Sequence, residues 1–229
     1  MRFSRFFVLI VLLVAVTGFL YAGQRSGAAS LTKLLEGNSR FAEGKQSPRD
    51  CSRERRQELT KGQNPFATVI SCSDSRVPPE VIFDQALGDL FIIRVAGNVI
   101  DPVVLGSIEY GVQHLSTPLL IILGHDSCGA VQATLDAKGK TEGNIGTILK
   151  KIMPSVEAAQ KVNKGRGETL SLAVRENVMN SYQEVMKSRI VRHLLREGKL
   201  QVVAAEYHLG TGKVETLAGS TPGEAHAQH

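Results

Sequence analysis

Phe66-Ala67-Thr68-Val69-Ile70-Ser71-Cys72-Ser73-Asp74-Ser75-Arg76 is an apolar, partly β-branched run that ends on a cysteine and a charged loop. Residues 66–71 predict a strand covered on both faces, as in a parallel sheet flanked by helices. Residues 90–95 (Leu90-Phe91-Ile92-Ile93-Arg94-Val95), 119–123 (Leu119-Leu120-Ile121-Ile122-Leu123) and 200–205 have the same character. Helical patterns fill the intervals. The first covers 31–41, with apolar residues at 31, 34, 35 and 41 and Ser30 as candidate N-cap. A highly charged helix over 53–61 stops at Gly62. Asp101-Pro102 opens a third, with Asp as N-cap and Pro at the first helical position, running to about Leu115. Residues 128–135, 145–163 and 169–197 complete the set, and a short fifth strand over 213–217 follows the turn Gly210-Thr211-Gly212. Strands alternating with helices predict an α/β fold whose central sheet is mainly parallel.

In such sheets ligands sit beyond the C-terminal ends of the strands. Cys72 follows the first strand directly, and His125-Asp126-Ser127-Cys128 follows the third. Taken singly, these residues are ordinary: a cysteine after a strand is usually core filler, and an Asp-x-Arg pair is usually a surface ion pair. Placed at two neighbouring strand ends with His-x-x-Cys spacing, Cys72, His125 and Cys128 form a zinc ligand set. Structural zinc sites close the metal with four protein ligands, whereas catalytic sites supply three and leave one position open. A water in that position has its pKa lowered from about 15.7 toward about 7. Asp74 can reach such a water, and Arg76 can hold Asp74 by a bidentate ion pair. Released from Arg76, Asp74 could instead ligate the metal and close the site.

The chain has 229 residues, enough for one domain with a real hydrophobic core. Arg2 and Arg5, the apolar run over 6–22 and the small residues Ala22 and Gly23 form the pattern of a secretory signal. The 17-residue run also sits at the lower edge of a membrane span, so an uncleaved anchor is the alternative. The expected organisation is a signal peptide or anchor over 1–22, one domain over 23–219 and a disordered polar tail over 220–229. The location expected is periplasmic or secreted, or else the inner membrane through residues 6–22. The net charge of +5 becomes +3 without residues 1–22, and basic and acidic residues intersperse from Lys33 to Lys213. This predicts a solvated surface and no nucleic-acid partner, and the absence of Trp agrees. Among three cysteines, Cys51 lies in a charged segment and is expected to be unpaired.

Together these residues resemble the β-class carbonic anhydrases. The resemblance runs through Leu34-Leu35-Glu36-Gly37-Asn38-Ser39-Arg40-Phe41, Gln63-Asn64-Pro65, Ser71-Cys72-Ser73-Asp74-Ser75-Arg76-Val77-Pro78 and Phe91-Ile92-Ile93-Arg94-Val95-Ala96-Gly97-Asn98. It continues in Gly106-Ser107-Ile108-Glu109-Tyr110, in Gly124-His125-Asp126-Ser127-Cys128-Gly129 and in the segment from Tyr207 to Val214. It implies one zinc ion per chain on Cys72, His125 and Cys128, and reversible hydration of carbon dioxide to bicarbonate. It implies a catalytic Asp74-Arg76 dyad, with Asp74 on the metal only in a closed state. Gln63, Phe91 and Gly129 are the implied substrate-side residues, and Phe91 would line an apolar pocket at a subunit interface. The implied sheet order is 2-1-3-4 extended by the last strand, and the implied assembly is a homodimer or dimer of dimers with N-terminal helices wrapped over the partner. Val95 and Ala130 depart from the family pattern. Val69 stands where some members carry a Trp of an inhibitory bicarbonate site, while Arg94 keeps another part of that site. An open metal position is therefore expected. A hydrolase of carbon disulfide or carbonyl sulfide would share these motifs, and a zinc-binding or thiol-redox protein is the alternative from another class.

Overall fold

The apolar runs assemble into one five-stranded sheet in the order β2-β1-β3-β4-β5. The structure is a computed structural model that describes residues 26–137, 143–162 and 165–217. The first four strands, β1 (Ala67–Ser71), β2 (Leu90–Arg94), β3 (Leu119–His125) and β4 (Gln201–Tyr207), are parallel, and β5 (Val214–Thr216) pairs antiparallel with β4. This is the order 2-1-3-4 plus a C-terminal strand. Ser71 pairs with Arg94 on one side and Leu123 on the other, so β2 and β1 end level while β3 runs two residues further, to His125.

Burial explains why the strands read as unbroken apolar runs. Every residue of β1 and β3 is buried, whereas β2, at the sheet edge, is half-buried from Leu90 to Ile93. Alternate residues of β3 enter two separate cores: Leu120 and Ile122 join one, and Leu119, Ile121 and Leu123 join the other. The first core is closed by α4 (Pro102–Glu109), α7 (Arg166–Val185) and α8 (Arg189–Arg196). The second is closed by α1 (Gly27–Ala42) and α3 (Pro79–Ile82). A third cluster, from α5 (Gly129–Asp136), α6 (Ile145–Val162) and α7, surrounds Cys72 and Cys128. The remaining helix, α2 (Arg53–Leu59), has no buried residue.

Three local expectations are corrected. The first helix begins at Gly27, with Ser26 as its cap accepting from Ala29 N at 3.1 Å; Ser30 is buried inside it. Tertiary contact extends this helix, because Gly27 packs directly against Gln201 and Pro118. The predicted helix over 169–197 is two helices: the first ends at Val185 with Met186 as its C-cap, and Ser188 caps the next by accepting from Val191 N at 3.2 Å. The helix opened by Asp101, which accepts from Val104 N at 2.7 Å, passes at Tyr110–His114 into a π-helical turn. The one-turn α3 and the 3₁₀ turn Ala96–Asn98 were not foreseen.

α1 is pinned to its own chain. Asn38 donates to the carbonyls of Ile82 (3.2 Å) and Gly212 (2.8 Å) and accepts from Val214 N (2.8 Å). A Cβ at Gly37 would stand 1.9 Å from the Phe83 carbonyl oxygen, so only glycine permits this approach. The segments expected as signal or anchor (1–22) and as tail (220–229) lie outside the described residues. Among the described residues no helix is long and apolar enough to cross a membrane.

Candidate functional site

Cys72 is the first residue past β1, His125 the last of β3, and Cys128 the N-cap of α5. The adjacent ends of β1 and β3 bring them together: the two sulfurs and a ring nitrogen of His125 all lie within 4.8 Å of one another. All three residues are buried, His125 completely. His125 Nδ1 lies 2.8 Å from the Asp126 carbonyl oxygen and donates to it, which leaves Nε2 as the lone-pair nitrogen. That Nε2 is buried and has no hydrogen-bond partner. A buried acceptor left unpaired is costly, and an ion between it and the sulfurs would satisfy it. Two thiolates and an imidazole are the donor set of zinc, so the residues fit that metal.

The sulfurs are prepared for anionic charge. Cys72 Sγ accepts from Gly97 N at 3.3 Å, and the amides of Ala130 and Val131 at the start of α5 favour the anionic form of Cys128. The hydrogen bond from Cys128, helped by His125, brings the Cys72 thiol down to about 4, whereas Cys128 is pushed up by the same hydrogen bond and by burial. Without a cation the pair carries one negative charge; a divalent ion is what lets both become thiolates. Burial works to lower His125, but the Cys72 thiolate beside it outweighs burial and raises it.

Asp74 and Arg76 form a closed pair. Arg76 Nε and Nη2 donate to the two carboxylate oxygens at 2.9 and 2.7 Å, and Arg76 N donates to Oδ1 at 2.9 Å. The Arg76 hydrogen bonds hold the Asp74 carboxyl well below the usual carboxylate range. Asp74 Oδ2 stands 3.9 Å from His125 Nε2, at the edge of the cluster. Arg94, at the end of β2, donates to the carbonyls of Cys72 (3.0 Å) and Asp74, so the loop carrying the dyad is tied to the neighbouring strand.

A further layer was invisible in the sequence. Gly97 reaches Cys72 from a turn with φ of 68°, a conformation natural to glycine. Helix α7 clamps that turn: Asn177 donates to the Gly97 carbonyl at 2.7 Å and Ser181 to the Asn98 carbonyl at 2.8 Å. On an amphipathic helix these two residues look like an ordinary polar stripe, and no local signal sets them apart.

The substrate-side residues are dispersed. A Cβ at Gly129, next to Cys128, would meet nothing within 4 Å, so space opens there. Gln63 is exposed and lines a groove with Gly88, which precedes β2. Gln63 precedes β1 and Cys72 follows it, so the glutamine and the cluster belong to opposite edges of the same sheet. Phe91 pairs with Thr68 on the edge strand and stacks obliquely on Tyr110, with ring centroids 5.9 Å apart.

A parallel sheet with this ligand set at its C-terminal edge defines a metal-site α/β enzyme. Residues 67–214 match the family model described as carbonic anhydrase. A carbonic anhydrase of Mycolicibacterium smegmatis is 42% identical over 191 residues, covering 82% of this chain and 91% of that protein. Carbonic anhydrase 2 of Mycobacterium tuberculosis is 39% identical over 189 residues, covering 81% and 90%. Among solved structures, a Coccomyxa β-carbonic anhydrase in complex with acetazolamide superposes with a TM-score of 0.67 at 29% identity, covering 82% of this chain and 86% of that one. One of two tetrameric β-carbonic anhydrases of Sordaria macrospora gives 0.66 at 26% identity, covering 72% and 87%. The chain belongs to the carbonic anhydrase family, in its β class, and is an enzyme of that kind.

Proposed function

We propose that this chain catalyses zinc-dependent, reversible hydration of carbon dioxide to bicarbonate and a proton. The reading is carried by the unpartnered, buried Nε2 of His125, set with the sulfurs of Cys72 and Cys128 inside a 4.8 Å cluster. Those three residues would hold one zinc per chain, and the ion would supply the Lewis acidity that makes water a nucleophile near neutral pH. Asp74, kept ionised by Arg76, offers an acceptor at the cluster's edge that fixes the direction of the attacking water's proton. Arg76 occupies both oxygens of Asp74, which keeps the carboxylate off the metal and favours the open state. The space beside Gly129 admits a small, linear substrate.

Gln63 serves the site of a second copy in this reading. β2 is an edge strand with half-buried apolar residues, and two such edges meeting about a twofold axis run antiparallel. That pairing sets the Gln63 edge of one protomer beside the Cys72 edge of its partner and encloses Phe91. A homodimer, or a dimer of such dimers, is the working assembly. Residues 1–22 direct export to the periplasm or beyond, or else anchor the chain to the inner membrane.

Stopped-flow hydration by zinc-loaded protein, from about pH 6.5 to 9, tests the activity. Rapid hydration that rises with pH supports it. One zinc per chain with no rate above buffer would sink it, and turnover of carbonyl sulfide or carbon disulfide in a parallel assay would redirect it. A fusion of residues 1–30 to a reporter that stays in the cytoplasm would remove the export reading.

A further inference from the structure

Part of the charge that reads as dispersed along the chain is concentrated on one helix and its ends. Residues 187–199 hold Lys187, Arg189, Arg192, Arg196 and Lys199 against the single acid Glu197, a net +4. Of the chain's +5, Arg2, Arg5 and Arg25 supply +3, so everything else from residue 26 onward sums to −2. α8 and its two ends therefore hold a local excess of +4 within thirteen residues, a density that residues 150–166 (Lys150, Lys151, Lys161, Lys164 and Arg166 against Glu157) approach over a longer stretch. Arg189, Arg192 and Arg196 are exposed and recur at the helical spacings that place them on one side, while Val191 is buried and Leu194 and Leu195 pack against the core. These three arginines form no salt bridge among the described residues; the acids nearby are taken by Lys187 (Glu184, 2.6 Å), Lys199 (Glu197, 2.8 Å) and His193 (Glu197, 3.3 Å). A solvated surface helix of a domain this close to neutral would normally carry both signs.

The position of the patch says what it faces. One groove is lined by Ser26 and Gly27, where the described chain begins, and by Leu194, Gly198 and Lys199 at the end of α8. Ser26, which follows Arg25 and the apolar run over 6–22 in sequence, thus lies beside the end of the basic helix. We infer that α8 is a docking surface for an anionic lipid bilayer, with Arg189, Arg192, Arg196 and Lys199 placed against headgroup phosphates. A basic segment near an anionic surface gains about fivefold in affinity per Lys or Arg, within a Debye length. The buried apolar face excludes insertion, so the attachment is electrostatic and reversible. The orientation rests on reading residues 6–22 as an export or anchor segment.

All strands and all three core clusters lie within residues 26–217, so a chain starting at Gly23 keeps the whole fold. Zinc-loaded protein starting there should sediment with vesicles of phosphatidylcholine and phosphatidylglycerol, not with phosphatidylcholine alone, and should come off as salt is raised. The triple variant Arg189→Glu, Arg192→Glu, Arg196→Glu should bind at least on the order of a hundredfold more weakly, with its melting temperature and hydration rate unchanged. Arg192→Gln with Arg196→Gln, a milder change at exposed helical sites, should give an intermediate loss. Failure to bind the anionic vesicles, undiminished binding by the variants, or binding to single-stranded RNA in place of vesicles would each overturn the proposal. Because the test chain lacks residues 6–22, that failure would leave the export reading standing, and a cytoplasmic reporter would leave α8 standing.

Discussion

At the scale of single residues, the site divides into groups that the chain itself delivers and groups that only packing delivers. Cys72, Asp74 and Arg76 are neighbours in sequence, and His125 and Cys128 are three apart; two parallel strands in register suffice to join them. That is why the metal cluster and the dyad were legible before any fold was known. Asp74→Asn keeps the shape but removes the anionic acceptor, so zinc should remain at one per chain while hydration falls by about a hundredfold or more; zinc content and stopped-flow rate on one sample check it. The Asn177–Gly97–Cys72 chain of hydrogen bonds was not legible, because it couples residues 80 and 25 apart. Asn177→Ala frees the Gly97 turn from α7 and weakens the amide contact to the Cys72 sulfur. Its expected effect is a zinc affinity lower by about tenfold or more, typical of outer-shell partners, measured by competition with a chromophoric chelator. Unchanged affinity would make Asn177 a merely structural residue.

At the scale of elements, the amino-acid pattern marks strands more sharply than helix ends. A strand buried on both faces shows itself by composition, whereas a helix boundary depends on caps that compete with one another. Ser26 and Ser30 are equally good caps in isolation, and contact of Gly27 with Gln201 and Pro118 decides between them. The edge formed by β4 and β5 shows a different conflict. Glu206 lies on β4, 2% exposed, with Oε2 lacking a hydrogen bond and Arg175 Nη1 3.6 Å away. Burial is the main cause that raises its carboxyl above the ordinary range, partly offset by His208 and Arg175. A raised acid binds its proton more firmly when folded, so Glu206 lowers stability as pH climbs from the unfolded value, about 4.3, through the folded one. Glu206→Gln removes that slope. The variant should melt higher than the parent at pH 8, by about 2–4 °C for each kcal/mol gained at this chain length, and no higher at pH 4. A melting curve that shifts equally at both pH values would assign the effect to packing instead.

At the scale of the whole molecule, the sheet poses a problem that one chain does not solve. Gln63 and Gly88 belong to the N-terminal edge, the metal cluster to the C-terminal edge, and the strand between them spans about 17 Å at 3.3 Å per residue. No rearrangement of a short loop brings Gln63 to its own Cys72. β2, meanwhile, leaves one side of its ladder open, with Leu90 to Ile93 half-buried and Tyr110 exposed beside Phe91. Bare edges of this kind are normally covered. The proposed pairing of β2 edges about a twofold axis would answer both facts, since each glutamine would then face the other protomer's cluster. The sequence held both residues but not their separation, which only strand order and direction reveal. Mixing two disabled variants tests the arrangement. Gln63→Ala lacks the glutamine and Cys72→Ser lacks a metal ligand, so each homodimer should be poorly active. In a mixed dimer, the Gln63→Ala protomer has an intact cluster and receives an intact Gln63 from its partner. Random co-refolding, with zinc supplied, should therefore restore about a quarter of the parent's active sites, because half the dimers are mixed and each carries one good site. If Gln63 served its own protomer, the mixture would stay as inactive as its components, and the twofold assembly would have to be built on another face.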